Sequence, residues 1–218
     1  MTDTENDNIE VKEEEKDVSA EEGITPDEAE GKEKDTGEIS KGRKIRNAIV
    51  EFIIYAAIIF VCVAVVPKYV IQRTIVDGKS MMNTLSHKDN LLVEKVSYRF
   101  SDPKRFDVIV FYPHGRESDD YYIKRVIGLP GETVQIKGND IYINGKIIKE
   151  NYGKDPMTES GIAAEPLKLG DDEFFVLGDN RKISEDSRYE EVGPVKRENI
   201  EGRAILRIYP FSKFGTFE

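Results

Sequence analysis

Cysteine is almost missing: Cys62 is the single one among 218 residues. An intrachain disulfide is therefore excluded, and one cysteine says little about redox compartment. It lies in an apolar run, where it reads as a small hydrophobe. Histidine is scarce as well, with only His87 and His114. Neither has the acidic neighbours or paired spacing of a Ser–His–Asp triad or a metal site, so both read as surface residues. No metal or cofactor is expected. A strongly basic stripe and an RNA-type aromatic motif are also lacking, which excludes nucleic acid as an expected partner. Helical periodicity of useful length is missing after residue 70, apart from a short turn near residues 81–85.

The formal net charge of -10 is unevenly spread. Residues 1–40 hold 16 Asp/Glu and 4 Lys, whereas the rest hold 26 acidic and 28 basic groups. The acidity thus belongs to a tail. With almost no large apolar residues, that tail cannot bury enough surface to offset chain entropy, and we expect it to be disordered.

One long hydrophobic run follows. Residues 48–66 are apolar except Glu51. Nineteen residues approach the roughly 20 that cross a bilayer as a helix. A secretory signal peptide is the rival reading, but forty residues precede the run and no small-x-small cleavage site follows it. Lys41, Arg43, Lys44 and Arg46 precede the span, and only Lys68 and Arg73 follow closely. The positive-inside rule then puts the N-terminus in the cytoplasm. The expected organisation is an acidic cytoplasmic tail (1–40), a basic flank with a transmembrane helix (41–69) and an extracytoplasmic domain (70–218), a typical domain size.

That domain reads as all-β. Residues 91–96, 106–112 and 121–129 are apolar and β-prone. Residues 133–137 and 140–144 alternate with period two, and Asn144-Gly145 signals a hairpin into 146–149. Residues 173–177 and 203–209 add two strands, while 150–172 read as a loop or irregular insertion. Many short strands with Gly, Asn and Pro turns predict an antiparallel fold.

Lys124 stands inside the apolar strand pattern 121–129. Burial disfavours an ammonium and lowers its pKa. A lysine that is neutral near pH 7 is a general base. Shifting it from about 10.4 to near 7 costs roughly 4–5 kcal/mol, which requires near-complete burial. Ile123, Val126 and Ile127 are suitable neighbours, and Arg125 points to the other face. Ser80, in Gly78-Lys-Ser-Met-Met-Asn-Thr-Leu85, is a nucleophile such a base can activate. Taken singly, each has a plainer reading: a serine beside glycine is a turn residue, and a strand lysine snorkels at an edge. Gly178-Asp-Asn-Arg-Lys-Ile-Ser-Glu-Asp-Ser-Arg188 is dense in polar groups, and alone reads as a capped turn with an Asp–Arg pair.

Together these segments resemble the type I signal peptidase (leader peptidase) family. The serine box is Gly78–Leu85. The next box appears as Phe106-Asp-Val-Ile-Val-Phe111 and the lysine box as Tyr122-Ile-Lys-Arg-Val-Ile-Gly-Leu-Pro-Gly131. The last is Gly178–Arg188. All stand in family order behind an apolar span.

The resemblance implies a membrane-anchored, coiled antiparallel β-sheet peptidase with a Ser–Lys dyad. Ser80 matches the nucleophile and Lys124 the general base. Ser184 matches the serine that orients the lysine. Asp186 and Arg188 match a bracing ion pair, supported by Asp179 and Arg125. The Ser80 backbone N–H matches one arm of the oxyanion hole, with backbone alone available at Gly78. Val76, Met81, Leu85, Tyr122 and Ile123 match the walls of shallow pockets for small side chains. The implied partners are secreted preproteins and the lipid bilayer, with the translocase as a further candidate. The implied reaction is cleavage of signal peptides after small-x-small sites.

Three positions depart from the family pattern. Asn83 replaces a proline that would stiffen the turn after the nucleophile. Gly78 replaces a serine found in some members, and Phe106 replaces a glycine. Asn83 motivates a different reading, a non-catalytic paralogue that binds preproteins or a translocase partner. A peptidase dedicated to a narrow client set is a third.

Overall fold

The computed structural model describes residues 36–118, 120–153 and 155–217, so the tail expected over 1–40 lies almost wholly outside the described residues. Contacts divide the chain into two compact units, Met1–Val50 and Glu51–Glu218. In the first, the described residues are helical. Helix α1 (Thr36–Phe60) runs into a π-helical turn, Val61–Val65, and then α2 (Val66–Tyr69). Residues Lys41–Tyr69 are long and apolar enough to cross a membrane, and none of that apolar window is buried.

The second unit carries eleven strands: β1 (Ile71–Ile75), β2 (Asn90–Glu94), β3 (Val108–Phe111), β4 (Tyr122–Gly128), β5 (Thr133–Lys137), β6 (Asp140–Ile143), β7 (Lys146–Ile147), β8 (Leu167–Lys168), β9 (Glu173–Leu177), β10 (Val195–Lys196) and β11 (Ile200–Tyr209). They form a seven-stranded sheet in the order β1-β2-β11-β3-β4-β9-β10 and a four-stranded sheet, β7-β6-β5-β8. Every pairing is antiparallel. The domain is therefore mostly β, as the strand patterns predict. Register shifts in β11 and β4 insert bulges, which bend and twist a sheet and coil it here.

Local sequence explains much of this. Asn144 and Gly145 sit at φ 51° and 77°, the two positive values that a tight hairpin turn requires. Ile143 and Lys146 pair directly across it. Val134, Ile136, Ile141 and Ile143 alternate inward from β5 and β6 onto Ile127, Phe175 and Leu177. β1, β8 and β10 lie outside the expected strands. Ile71-Gln-Arg-Thr-Ile75 is an edge strand with partly exposed residues, so it lacks a buried apolar stripe. β8 and β10 are two residues each, too short for any periodicity. The expected irregular stretch 150–172 is mostly that, with one 3₁₀ turn at Gly161–Ala163 and β8.

Three chain segments meet at one end of the seven-stranded sheet. The turn after β1 carries Ser80, β4 carries Lys124, and the loop after β9 carries residues 178–188. Met81 and Leu85 anchor the first turn by sinking into an apolar cluster with Val76, Leu91, Val93 and Val108.

Candidate active site

Ser80 and Lys124 are brought together from 44 residues apart: Lys124 Nζ lies 3.0 Å from Ser80 Oγ. As an ammonium the nitrogen donates in this contact, and as a neutral amine it accepts from the hydroxyl. Lys124 is 4% exposed. Burial pushes its pKa from 10.5 down to about 8, against the pull of the Asp186 and Glu185 carboxylates. Burial lowers it in the direction the sequence expectation named, and Asp186 and Glu185 are opposing charges that expectation did not include. The Tyr122 ring also lies 4.8 Å from Nζ, a face that favours the cation. No ion pair reaches Lys124 among the described residues.

Its neighbour Arg125 has the opposite setting. It is 1% exposed and donates through Nε and Nη2 to the two Asp179 carboxylate oxygens at 2.9 and 2.8 Å. Nη1 donates to the Phe106 carbonyl at 2.8 Å, and the guanidinium stacks 3.6 Å over the Tyr152 ring. Thr84 Oγ1 donates to Asp179 as well, which ties the serine turn to β4 through one carboxylate. Two-pronged charged hydrogen bonds of this kind fix direction as well as distance.

The 178–188 loop closes the third side. The Asn180 N–H donates to the Ser80 carbonyl at 2.9 Å, and its side chain reaches the Lys79 carbonyl. Asp186 accepts from the Gly178 N–H and from Arg188 Nε and Nη2. Arg188 spends its remaining donors on the carbonyls of Glu159, Arg181 and Ser184. Gly178 is required by crowding: a methyl group there would come within 2.1 Å of Ser184 Oγ and 2.5 Å of the Ser80 carbonyl oxygen.

Several sequence expectations need correction. Ser184 is buried, but its hydroxyl has no hydrogen-bond partner among the described residues, so the expected bond to Lys124 is not formed. Lys124 directs its nitrogen to Ser80 instead. The Gly78 N–H is not a free donor, since it points to His87 Nδ1 at 3.3 Å. The Ser80 N–H, in contrast, donates to none of the described residues. His87 does have an acidic neighbour: Asp77 Oδ1 lies 3.2 Å from Nδ1, brought close by the turn. Leu85 is 1% exposed in the apolar cluster, whereas a cavity of about 260 Å³ at the dyad is lined by Val76, Met81, Tyr122 and Ile123. Leu85 therefore supports Met81 from below rather than forming a wall.

The cavity has further walls that sequence reasoning missed, among them Ile183 and Glu185 of the last box. Tyr122 donates its hydroxyl hydrogen to Glu185 at 3.1 Å. Both residues sit at variable positions of the last box, so nothing in the pattern marked them. Tyr152 and Glu150 were equally invisible, in a stretch with no periodicity. Yet Tyr152 covers Arg125, and Glu150 pairs with Arg181 at 2.8 Å.

Two departures from the family boxes share a backbone cause. Asn83 has φ 93° and Phe106 has φ 74°. Proline is locked near φ −65°, so it cannot occupy position 83 with this turn. Asparagine is among the few residues that tolerate such values. Phe106 takes a value natural to glycine, and its ring packs 5.3 Å from Tyr152 and against the four-stranded sheet's core.

A model of the family described as signal peptidase, peptidase S26, matches residues 47–209. The chain belongs to the signal peptidase S26 family. Among curated relatives, a signal peptidase I of Leptolyngbya laminosa is 42% identical over 153 residues, covering 67% of this chain and 73% of that protein. Signal peptidase I P of Bacillus subtilis subsp. natto is 34% identical over 176 residues, covering 78% and 93%. A crystal structure of a signal peptidase I from Enterococcus faecalis V583 is 36% identical, covers 47% of this chain and 97% of that one, and superposes with a TM-score of 0.39. Membership makes this chain a peptidase of signal-peptide type, in a membrane-associated family, with one N-terminal helix of membrane-spanning length.

Proposed function

We propose that this protein is a membrane-tethered serine endopeptidase that removes N-terminal signal peptides from exported preproteins, with Ser80 as nucleophile and Lys124 as general base. The observation that carries this reading is the 3.0 Å contact between Ser80 Oγ and a buried Lys124 held at about 8. Roughly one molecule in ten then has the neutral amine at pH 7. That amine accepts the hydroxyl proton as Oγ attacks the scissile carbonyl. The Ser80 N–H faces the developing oxyanion, a donor typically worth about 10²–10³ in rate. The ammonium next protonates the leaving amine and frees the mature protein. Water, deprotonated by Lys124, hydrolyses the acyl-enzyme. The unpaired Ser184 hydroxyl is in reserve as an acceptor for the ammonium.

Substrate geometry has support from strand pairing. β4 pairs with β9 only from Arg125 onward, so Tyr122–Lys124 pair with β3 on one side and are open on the other. An extended peptide can add at such an edge. The small cavity walled by Val76, Met81 and Ile123 then favours small residues at -1 and -3. The tail of 1–40 lies in the cytoplasm, residues 41–69 span the bilayer, and 70–218 form the extracytoplasmic peptidase domain. The cluster of Lys41, Arg43, Lys44 and Arg46 before the span supports that orientation.

The test is kcat/KM on a model preprotein across pH in detergent. It should rise with unit slope and level off above about pH 8, because only the deprotonated lysine is active. Ser80→Ala should lose about 10⁴-fold or more with the fold intact. Lys124→Ala retaining near wild-type cleavage sinks the dyad.

A further inference from the structure

A concavity of about 750 Å³ lies away from the dyad, where the apolar helix ends. Pro67, Lys68 and Tyr69 of α2 line it together with Gln72 of β1, residues of the turn after β2 and residues of β11. Its lining is strongly basic. Lys68, Lys95, Arg99, Arg116 and Arg197 all face it, against one carboxylate, Glu201. Lys95 and Arg116 both bind Glu201. Burial opposes its charge, but their hydrogen bonds outweigh burial and hold it below the usual carboxylate range. Arg197 pairs at 3.2 Å with the exposed Asp102. Lys68 and Arg99 have no carboxylate partner among the described residues. Arg99 donates to the Tyr69 carbonyl, and both cations lie over the Tyr69 ring at 5.2 and 5.6 Å.

Depth along the helix suggests the ligand. The 19 apolar residues 48–66 measure roughly 28 Å at 1.5 Å per residue, close to the hydrocarbon thickness of about 30 Å. The next turn, Pro67–Tyr69, falls at headgroup level, and that turn is part of the concavity. Tyr98, Tyr112 and Tyr121 line it too, matching the interfacial preference of tyrosine. Phe100, next to Arg99, is 85% exposed, as suits a bilayer interface more than water.

We propose that this concavity binds the phosphate of an anionic phospholipid headgroup in the leaflet at the outer end of the span. Arg99 and Lys68 supply the uncompensated charge over the Tyr69 ring, and the Tyr112–Tyr121 hydroxyl pair supplies a donor, whereas the Tyr98 hydroxyl is committed to Asp107. The site rests on residues 41–69 being the membrane span, as proposed above. Its position beside α2 gives a tether that fixes the height of the peptidase domain over the bilayer.

The test uses the full chain in nanodiscs of mixed phosphatidylcholine and phosphatidylglycerol, with retained lipids counted by native mass spectrometry. The wild type should retain phosphatidylglycerol above its share in the bilayer. Lys68→Gln/Arg99→Gln should lower that preference about tenfold or more, since each near-surface charge removed is worth about fivefold. Both side chains are exposed, so folding is not at stake. Lys137→Gln/Lys146→Gln, two exposed lysines of the four-stranded sheet, removes equal charge and should change nothing. Equal losses in both double variants, or no anionic preference in the wild type, overturn the site. Displacement of the lipid by millimolar inorganic phosphate would assign the pocket to a soluble ligand and overturn it as well. Failure of the chain to incorporate into nanodiscs would instead overturn the span on which the site rests.

Discussion

The four-stranded sheet and the dyad end of the seven-stranded sheet bury opposite kinds of side chain. In β5 and β6 the buried residues are Val134, Ile136, Ile141 and Ile143, without a polar group among them. At the dyad end, Lys124, Arg125, Asp179, Arg181, Ser184, Asp186, Ser187 and Arg188 are all buried. The first region is held by removing apolar surface from water, which needs no direction. The second is held by directional bonds, each of which must be matched because an unpaired buried charge is costly. Arg125, Asp179, Asp186 and Arg188 are so matched. The exceptions are informative. Among the described residues, Lys124 has a hydroxyl but no carboxylate partner, and Ser184 Oγ has no partner. The polar network surrounds the Ser80–Lys124 contact on which the proposed chemistry rests.

The network can be broken from its strongest member downward. Asp179→Ala leaves Arg125 buried without its carboxylate and should cost about 3–5 kcal/mol in denaturant unfolding, with cleavage lost in parallel because Thr84 and the serine turn lose their tie. A cost below 1 kcal/mol would show that the ion pair is not what frames the site.

Lys124→Met sharpens the contrast from the other side. Holding an ammonium at a pKa of about 8 instead of 10.5 costs the fold about 3 kcal/mol below pH 8. The sign follows from linkage: between pH 8 and 10.5 the unfolded chain binds the extra proton, so wild-type stability rises with pH there. Lys124→Met should be more stable than wild type by up to about 3 kcal/mol at pH 7, with no cleavage. That advantage should fade through pH 8–10.5, as thermal unfolding at several pH values will report.

Asn83→Pro comes next. Proline cannot adopt φ 93°, so this substitution should destabilise by at least about 1 kcal/mol and lower kcat. Asn83→Gly should be close to neutral. A fully active Asn83→Pro would mean that the turn adopts the proline-compatible backbone without penalty. In the apolar region, Ile136→Val should cost about 1 kcal/mol with kcat/KM unchanged. A change in the pH profile on this substitution would show that the two regions are not independent.

Much of this was legible beforehand for identifiable reasons. Alternating 133–137 and 140–143 with Asn144-Gly145 between successive strands is local information, and the hairpin formed accordingly. The proximity of Ser80 and Lys124 was legible because a lysine in an apolar strand contradicts its surroundings and asks for a partner. Edge strand β1 and the two-residue strands were not legible, because they have no buried stripe to produce a pattern. Nor were Tyr152 and Glu150, whose partners Arg125 and Arg181 lie 27 and 31 positions along the chain.

The sequence by itself determined the apolar helix, the antiparallel strands and the residue types at the site, since hydrophobic period and turn chemistry are local properties. Tertiary structure alone decided which donors are free. It turned the Gly78 N–H toward His87, left the Ser80 N–H and the Ser184 hydroxyl unpaired among the described residues, and lowered Lys124 to about 8 by burying it, against the opposing pull of Asp186 and Glu185. Hydrogen bonding and charge depend on distances across segments remote in sequence, and only folding sets those distances.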